Sequence, residues 1–167
     1  MCSVLIVYAS RYGATATAAG RLANLLEENQ DTRVLLSEMA HVEPAQLQAA
    51  DLIVIGGPIY AGRIVADVPR FCDSQRETLL RSRVGLFISC LYEGDQARTQ
   101  LGMAYPQWLQ QHACAQADLG GAVKLRRLKF VDRFLMHSVA KVREDVDRIR
   151  MDAVSGFAAE LRACLER

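Results

Sequence analysis

The chain alternates short apolar segments with amphipathic ones along its length, and this order constrains its fold more than any other feature. Short runs dominated by apolar residues predict strands over residues 4–8, 32–36, 52–55, 84–89 and 115–123. Apolar residues at helical spacing predict helices over residues 15–28, 44–49, 66–75, 96–111 and 151–165. The first, third and fourth strands are apolar on both faces, which is typical of a parallel sheet covered by helices on each side.

Right-handed crossovers between parallel strands leave few topologies, and the doubly wound sheet is the first of them. We expect a single domain over residues 1–167, because this length suits one core and no linker or repeat interrupts the pattern. In doubly wound sheets, ligands bind beyond the carboxyl ends of the strands, where the winding reverses. The loops after the first, third and fourth strands are therefore the candidate binding loops.

The loop after the first strand is a candidate phosphate site, and it consists of Ser10, Arg11, Tyr12, Gly13, Ala14 and Thr15. It leads directly into a helix, whose start offers unpaired N–H groups and the positive end of the helix dipole. The two hydroxyls add donors, and the glycine lets the backbone curl around a phosphate. Without a Walker lysine or a Gly-x-Gly-x-x-Gly motif, the loop suits a single phosphate monoester. A helix capped by Ser or Thr is the alternative interpretation.

The loops after the third and fourth strands each contain an aromatic residue. In the first, two glycines, a proline and a further glycine predict a tight loop over residues 56–62, with Tyr60 at its tip. The Tyr60 ring either stacks on a flat ligand or covers the edge of the sheet. In the second, over residues 89–95, Tyr92 either forms the opposite wall of a ring slot or faces solvent.

Composition excludes several classes of protein. No apolar run is long enough to span a membrane, and the N-terminus shows no signal peptide, so we expect a cytoplasmic protein. The five cysteines are odd in number and contain no Cys-x-x-Cys pair, which predicts reduced, packed thiols rather than a disulfide framework, a zinc site or an iron–sulfur cluster. The three histidines are scattered, so no metal site is predicted.

A basic segment lies between residues 124 and 143. Four of its first six residues are basic and are interleaved with leucines: Lys124, Arg126, Arg127 and Lys129. This mixture suits contact with anionic lipid at the inner face of the membrane, with an acidic substrate or with a redox partner protein; a solvated hairpin packed on the sheet is the alternative. Nucleic acid is not expected as a partner, because no DNA-binding module surrounds the segment.

The first two loops together resemble those of the flavodoxin family. The shared features are Ser-x-x-Gly-x-Thr after the first strand and Gly-Pro-Ile-Tyr-x-Gly after the third. Residues 120–124 and 132–136 are similar to the insert of the branch that contains menaquinone-dependent protoporphyrinogen IX dehydrogenase. The resemblance implies an α/β, flavodoxin-like, doubly wound five-stranded parallel sheet in the order 2-1-3-4-5. Helices would cover both faces, and the basic insert would lie near strand five.

The resemblance also implies FMN as the cofactor and assigns residues to it. The FMN phosphate would be held by Ser10, Arg11, Tyr12, Gly13, Ala14 and Thr15. The isoalloxazine ring would be flanked by Pro58, Ile59, Tyr60, Ala61 and Gly62, and by Cys90, Leu91 and Tyr92. Because the flavin carries the electrons, no catalytic side chain is expected.

Three functions follow from an FMN-binding chain of this kind. The first is an FMN-dependent oxidoreductase that oxidises protoporphyrinogen IX with a quinone as acceptor. The second is an electron-transfer module without a small-molecule substrate of its own. The third is an NAD(P)H-dependent quinone reductase, which is disfavoured because the sequence offers no credible nicotinamide site. The formal net charge of +1 differs from the strong acidity typical of flavodoxins that shuttle electrons.

Overall fold

The computed structural model describes residues 1–28, 30–123 and 145–167, and it contains a central sheet between two layers of helices. The strands in these ranges are β1 (Cys2–Tyr8), β2 (Thr32–Glu38), β3 (Leu52–Tyr60), β4 (Arg63–Ile64), β5 (Arg83–Ser89), β6 (Ala115–Asp118), β7 (Ala122–Val123) and β8 (Val146–Asp147). The helices are α1 (Ala14–Glu27), α2 (Pro44–Ala49), α3 (Asp67–Ser74), α4 (Arg76–Arg81), α5 (Gly94–Ala104), α6 (Gln107–His112) and α7 (Met151–Glu166), with a short 3-10 turn at Met39–His41.

The main sheet is parallel and has the strand order β2-β1-β3-β5-β6. Strand β4 folds back on the end of β3 as an antiparallel addition, and β7 and β8 form a separate antiparallel pair. The prediction did not include the short strand β4, so β5 and β6 are the predicted fourth and fifth strands. With that renumbering, the observed order is the predicted 2-1-3-4-5. The flavodoxin-like doubly wound fold expected from the sequence is therefore confirmed.

Alternating residues of the buried strands pack into two separate hydrophobic cores, one on each face of the sheet. On one face, Val4 and Ile6 of β1 pack with Leu22 and Leu26 of α1 and with Phe157 of α7. On the other face, residues of the same strands pack with the remaining helices; the cluster includes Leu5, Val7, Ile53, Ile55, Leu47, Val68, Leu79 and Leu109. Burial of both faces is the reason that these strands lack polar residues.

A buried tyrosine lies between the two central strands. The Tyr105 hydroxyl is 2.5 Å from the Phe87 carbonyl oxygen and 3.0 Å from the Ile55 carbonyl oxygen. Burial raises the pKa of Tyr105 well above its usual value, so the hydroxyl stays protonated and donates to these carbonyls. The contact ties α5's C-terminal end to β3 and β5 immediately below their binding loops.

The prediction of a strand over residues 115–123 was wrong for the second half of that range. Strand β6 ends at Asp118, and Gly120 then adopts a left-handed conformation with φ of 79°. This turn takes the backbone out of the main sheet, and Ala122 and Val123 pair instead with β8. A positive φ favours glycine, which is why the chain turns here.

Two other element boundaries differ from the predictions. The helix predicted over 96–111 is divided into α5 and α6, because Tyr105 precedes Pro106 and takes an extended conformation with φ of −113° and ψ of 155°. The loop predicted over 56–62 is mostly strand: Pro58 is paired with Ser89 of β5, and Tyr60 with Arg63 of β4. The helix predicted over 66–75 matches α3, but α4 was not predicted.

The prediction of reduced thiols was wrong for two of the five cysteines. Cys114, just before β6, forms a disulfide with Cys164 in the last turns of α7, with Cα atoms 6.2 Å apart. Cys2, Cys72 and Cys90 are free. Partners 50 residues apart leave no spacing motif in the sequence, so only the packing of α7 against β6 brings them together. Among the described residues, no helix is long and apolar enough to cross a membrane.

Reduction of the disulfide is expected to destabilise the domain. The Cys114–Cys164 bridge closes a loop of 50 residues, for which the chain-entropy treatment gives about 4 kcal/mol as the upper range of stabilisation. Urea unfolding with and without dithiothreitol should show a lower free energy of unfolding in the reduced wild-type protein. The Cys114→Ser/Cys164→Ser double variant is the control and should not respond to dithiothreitol. An identical response of both proteins would contradict the bridge.

Candidate functional site

A cavity lies at the carboxyl edge of the sheet, where the loops after β1, β3 and β5 meet the segment that enters β7. Its lining consists of Arg11, Tyr12, Ala14, Thr15, Pro58, Ile59, Tyr60, Ser89, Leu91, Gly121, Ala122 and Val123. The enclosed volume is about 50 Å³, so a ring-sized ligand must move side chains at its mouth. Arg11 is exposed and long, so its displacement costs little.

One end of this cavity is the start of α1. Gly13 precedes the helix with φ of 94°, and no side chain caps the helix start. The Ser10 hydroxyl oxygen accepts a hydrogen bond from the Gly13 N–H at 3.1 Å, which leaves its own proton available to donate. The first N–H groups of α1 have no acceptor within the helix, and they lie at the positive end of its dipole. This end of the cavity therefore suits an anion.

Thr15 supplies the most specific signal in the site. Its side chain is 1% exposed, and its hydroxyl oxygen has no hydrogen-bond partner among the described residues. A buried hydroxyl without a partner costs about 1–3 kcal/mol, and native proteins seldom retain one without a reason. An acceptor oxygen of a ligand at the start of α1 would satisfy this group.

The other end of the cavity is aromatic and cationic. The Arg11 guanidinium lies 4.4 Å from the centroid of the Tyr60 ring and 5.5 Å from that of Tyr12. The two tyrosine rings are 6.5 Å apart at an angle of 53°. Tyr60 ends β3, and the turn through Ala61 and Gly62, both with positive φ, folds β4 back against it. Tyr60 is thus held by strand pairing rather than presented on a free loop.

The loop after β5 contributes only one of its three predicted residues to the lining. Leu91 lies in the cavity wall, whereas Tyr92 is on the surface with 36% exposure. Cys90 is buried behind the wall, and its N–H donates to the Gly120 carbonyl at 3.1 Å. Burial raises the pKa of the Cys90 thiol to about 11, so it remains a neutral thiol near pH 7.

The wall opposite Tyr60 includes residues that sequence reasoning did not assign to the site. They are Ser89, Gly121, Ala122 and Val123. A Cβ atom on Gly121 would lie 2.9 Å from the Cys90 carbonyl carbon, so only glycine permits this approach of the two loops. In the sequence, the pair Gly120-Gly121 after a short strand was the signal that could have indicated this close contact.

An ion pair holds the segment that forms this wall. The Arg150 guanidinium donates to the Asp118 carboxylate and to the Asp118 carbonyl oxygen, both at 2.7 Å, and the Gly120 N–H donates to the same carboxylate at 3.0 Å. Burial raises the pKa of Asp118, while the Gly120 N–H and Arg150 oppose this shift. The pair fixes the turn at Gly120 and thereby the position of Ala122 beside the cavity.

Comparison with known protein families identifies the family of this chain. A family model described as a flavodoxin domain matches residues 5–149. The chain belongs to the flavodoxin domain family. FMN is the cofactor of this family, and FMN-binding electron transfer or oxidoreduction is its general function. Comparison with curated protein sequences gives no match.

Solved structures agree on the fold of this flavodoxin. Oxidised flavodoxin 1 from Bacillus cereus has 15% identity and a TM-score of 0.59, with 96% of this chain and 97% of that chain covered. A WrbA-like flavodoxin protein from Agrobacterium tumefaciens has 18% identity and a TM-score of 0.55, with coverage of 98% and 94%. Rubredoxin oxygen:oxidoreductase from Desulfovibrio gigas has 18% identity and a TM-score of 0.52, with coverage of 99% and 37%.

FMN fits the residues that this flavodoxin presents. The orphaned Thr15 hydroxyl and the uncapped start of α1 match the needs of a phosphate monoester. The aromatic end of the cavity at Tyr60 and Tyr12 matches a flat ring. The four basic residues Lys124, Arg126, Arg127 and Lys129 lie outside the described residues, so the structure does not place them. No cluster of metal-ligating side chains occurs in the described ranges.

The orphaned hydroxyl predicts opposite effects of two similar substitutions in α1. In the flavin-free protein, Thr15→Val removes an unsatisfied buried group and should raise the free energy of unfolding by about 1–3 kcal/mol. Thr17→Val is the matched control: its hydroxyl donates to the Gly13 carbonyl at 2.9 Å, so its loss should lower stability by about 0.5–1.5 kcal/mol. Urea unfolding of the apoproteins measures both. Destabilisation by Thr15→Val similar to that by Thr17→Val would show that Thr15 is already satisfied.

Proposed function

We propose that this flavodoxin is an FMN-dependent oxidoreductase that passes electrons from a reduced substrate of the porphyrinogen class to a quinone. The unsatisfied Thr15 hydroxyl at the start of α1 carries the FMN part of the proposal, because it marks a site that needs an acceptor from a ligand. The porphyrinogen and quinone parts rest on the sequence resemblance of residues 120–124 and 132–136. The near-neutral net charge of +1 supports an enzyme over a shuttle, since shuttles of this family are strongly acidic and dock on basic partners.

The FMN phosphate is assigned to the loop before α1. Ser10 and Thr15 donate their hydroxyl protons, and the first N–H groups of α1 donate along the helix axis. Gly13 permits the left-handed turn that aims these groups at one point. Arg11 adds a positive charge at the mouth of the cavity.

The isoalloxazine ring would be held by Tyr60, Leu91 and Ala122, which line the cavity. FMN, when bound, supplies the electron- and hydride-transfer chemistry. The protein residues orient the ring and exclude water from one side of it. The neutral Cys90 thiol lies behind this wall and has no part in covalent chemistry.

The basic segment is assigned to substrate binding. Lys124, Arg126, Arg127 and Lys129 follow Val123 in the chain, and Val123 lines the ring end of the cavity. The basic composition of this segment suits the carboxylates of an acidic substrate, and it suits an anionic membrane surface in the same way. Replacing all four by Gln in a lipid-free assay separates these roles: a fall in turnover supports a substrate dock, and unchanged turnover argues against it.

Loss of the loop hydroxyls should affect FMN far more than riboflavin, which lacks the phosphate. Each hydroxyl that bonds the phosphate dianion should contribute about 1.5–3 kcal/mol, so each Ala substitution should weaken FMN binding by about 10- to 150-fold. Fluorescence titration of the Ser10→Ala, Thr15→Ala and double variants with both flavins measures this difference. Thr17→Ala is the control, because its hydroxyl is already bonded to the Gly13 carbonyl. Equal losses for FMN and riboflavin would refute the phosphate assignment.

The reaction itself can be tested anaerobically with the FMN-loaded protein, protoporphyrinogen IX and menadione. We expect porphyrin fluorescence to rise as menadione is reduced, and the Ser10→Ala/Thr15→Ala variant to lose this activity with its flavin. Flavin that reacts with neither compound but exchanges electrons with a protein donor would identify an electron-transfer module instead. Rapid oxidation of NADH or NADPH would identify a quinone reductase.

A further inference from the structure

A second, larger cleft lies beside the flavin site, on the side of the sheet edge where β1 meets β2. It encloses about 820 Å³, within the range of small-molecule sites, whereas the first cavity encloses about 50 Å³. Residues of β1, the turn after β2, the β4 hairpin and α3 form its walls. Arg11 and Tyr60 line both spaces, so the cleft adjoins the flavin site at these side chains.

The walls of the cleft combine aromatic and aliphatic surface with cations. Phe71, Ile64 and Met39 provide apolar contact area, and Tyr60 adds an aromatic ring. Flat ring systems bind well against such surfaces. The cleft thus has the lining expected for a planar organic molecule.

The charges of the cleft favour an anion. Three arginines, Arg11, Arg63 and Arg70, line it against two carboxylates, Glu38 and Asp67. Asp67 lies 3.8 Å from Arg70, and Glu38 lies 3.5 Å from the His41 ring nitrogen. Three cations against two carboxylates leave the lining with one positive charge in excess, which favours an anionic ligand.

Two of these arginines can reach a ligand at little cost. Arg63 has no ion pair or hydrogen bond among the described residues, and its side chain is exposed at the rim. The Arg70–Asp67 pair is long, and both side chains are 79% exposed, so it contributes little to stability. Neither Arg63 nor Arg70 lies in the lining of the flavin cavity.

A cleft at the opposite end of the sheet contains cations but no aromatic wall. It encloses about 710 Å³ and contains Arg81 and Arg83, but its lining has no Phe, Tyr or Trp. It lies at the amino ends of the strands, away from the edge where doubly wound sheets bind ligands. It serves as a matched control for charge without aromatic walls.

We propose that the cleft between β2 and α3 binds a planar organic anion, an aromatic carboxylate or sulfonate, through Arg63 and Arg70 and the apolar wall at Phe71. The anion is the electron acceptor of the flavin, distinct from the reduced substrate assigned to the basic segment, and in this one respect the inference rests on the proposed function. Binding itself does not depend on turnover, so the two can fail separately.

Binding of anthraquinone-2-sulfonate to the oxidised, FMN-loaded protein tests the site without any reaction. Isothermal titration calorimetry should show saturable binding to the wild-type protein, weakened on the order of tenfold in Arg63→Gln/Arg70→Gln. The control Arg81→Gln/Arg83→Gln should bind as the wild type does. The uncharged analogue 2-(hydroxymethyl)anthraquinone should bind more weakly and should not respond to either double variant, whereas Phe71→Ala should weaken both probes.

Several results would overturn the proposal. They are absence of saturable sulfonate binding, an equal loss in both arginine double variants, and an equal loss for the neutral analogue in Arg63→Gln/Arg70→Gln. Release of FMN by the probe, followed by flavin absorbance, would place the probe in the flavin cavity and would also refute the cleft. If the probe binds as expected while porphyrinogen and quinone turnover is absent, the cleft stands and the proposed function fails.

Discussion

The parallel register of the buried strands β1, β3 and β5 determines where the loops that follow them begin. Tyr8 of β1 pairs with Gly56 of β3, and Gly56 pairs with Phe87 of β5. Because parallel strands end on the same edge, the loop after β1 leaves the sheet beside Gly56 of β3, and the loop after β5 leaves it beside Pro58 of β3. Burial of both faces holds this register, since a slip of one residue would exchange the two cores. The geometry of the flavin site thus depends on the packing of the sheet.

The start of α1 leaves polar groups unsatisfied in the protein itself. A helix start is usually capped by a side chain, but here Gly13 precedes it and Ser10 bonds the loop instead. Thr15 buries a hydroxyl that no described residue satisfies. These features are unfavourable in the flavin-free protein, and under the proposed phosphate assignment they would become favourable when a phosphate accepts from them. Defects of this kind are expected at functional sites, where the surrounding core compensates for them.

Part of the lining of the candidate cavity could be predicted from residues that act locally. The hydroxyl-glycine loop before a helix and the aromatic Tyr60 after a buried strand are signals within a few residues of each other. Tyr92 and Cys90 could not be placed in the same way, because one faces solvent and the other is covered by the Gly120 turn. That turn depends on the Arg150–Asp118 ion pair, which joins residues 32 positions apart. Contacts at such separations leave no periodic pattern in a single sequence.

The sequence by itself determined the parallel sheet and the edge at which its loops meet, because apolar runs and helix periods are properties of neighbouring residues. Only the tertiary structure decided that β6 stops at Asp118, that Cys114 meets Cys164, and that Arg63 and Arg70 face a cleft with Phe71. Each of these outcomes depends on elements distant in the chain being packed against one another. Packing of that kind is set by the shapes and burial of two cores together, which no local segment encodes alone.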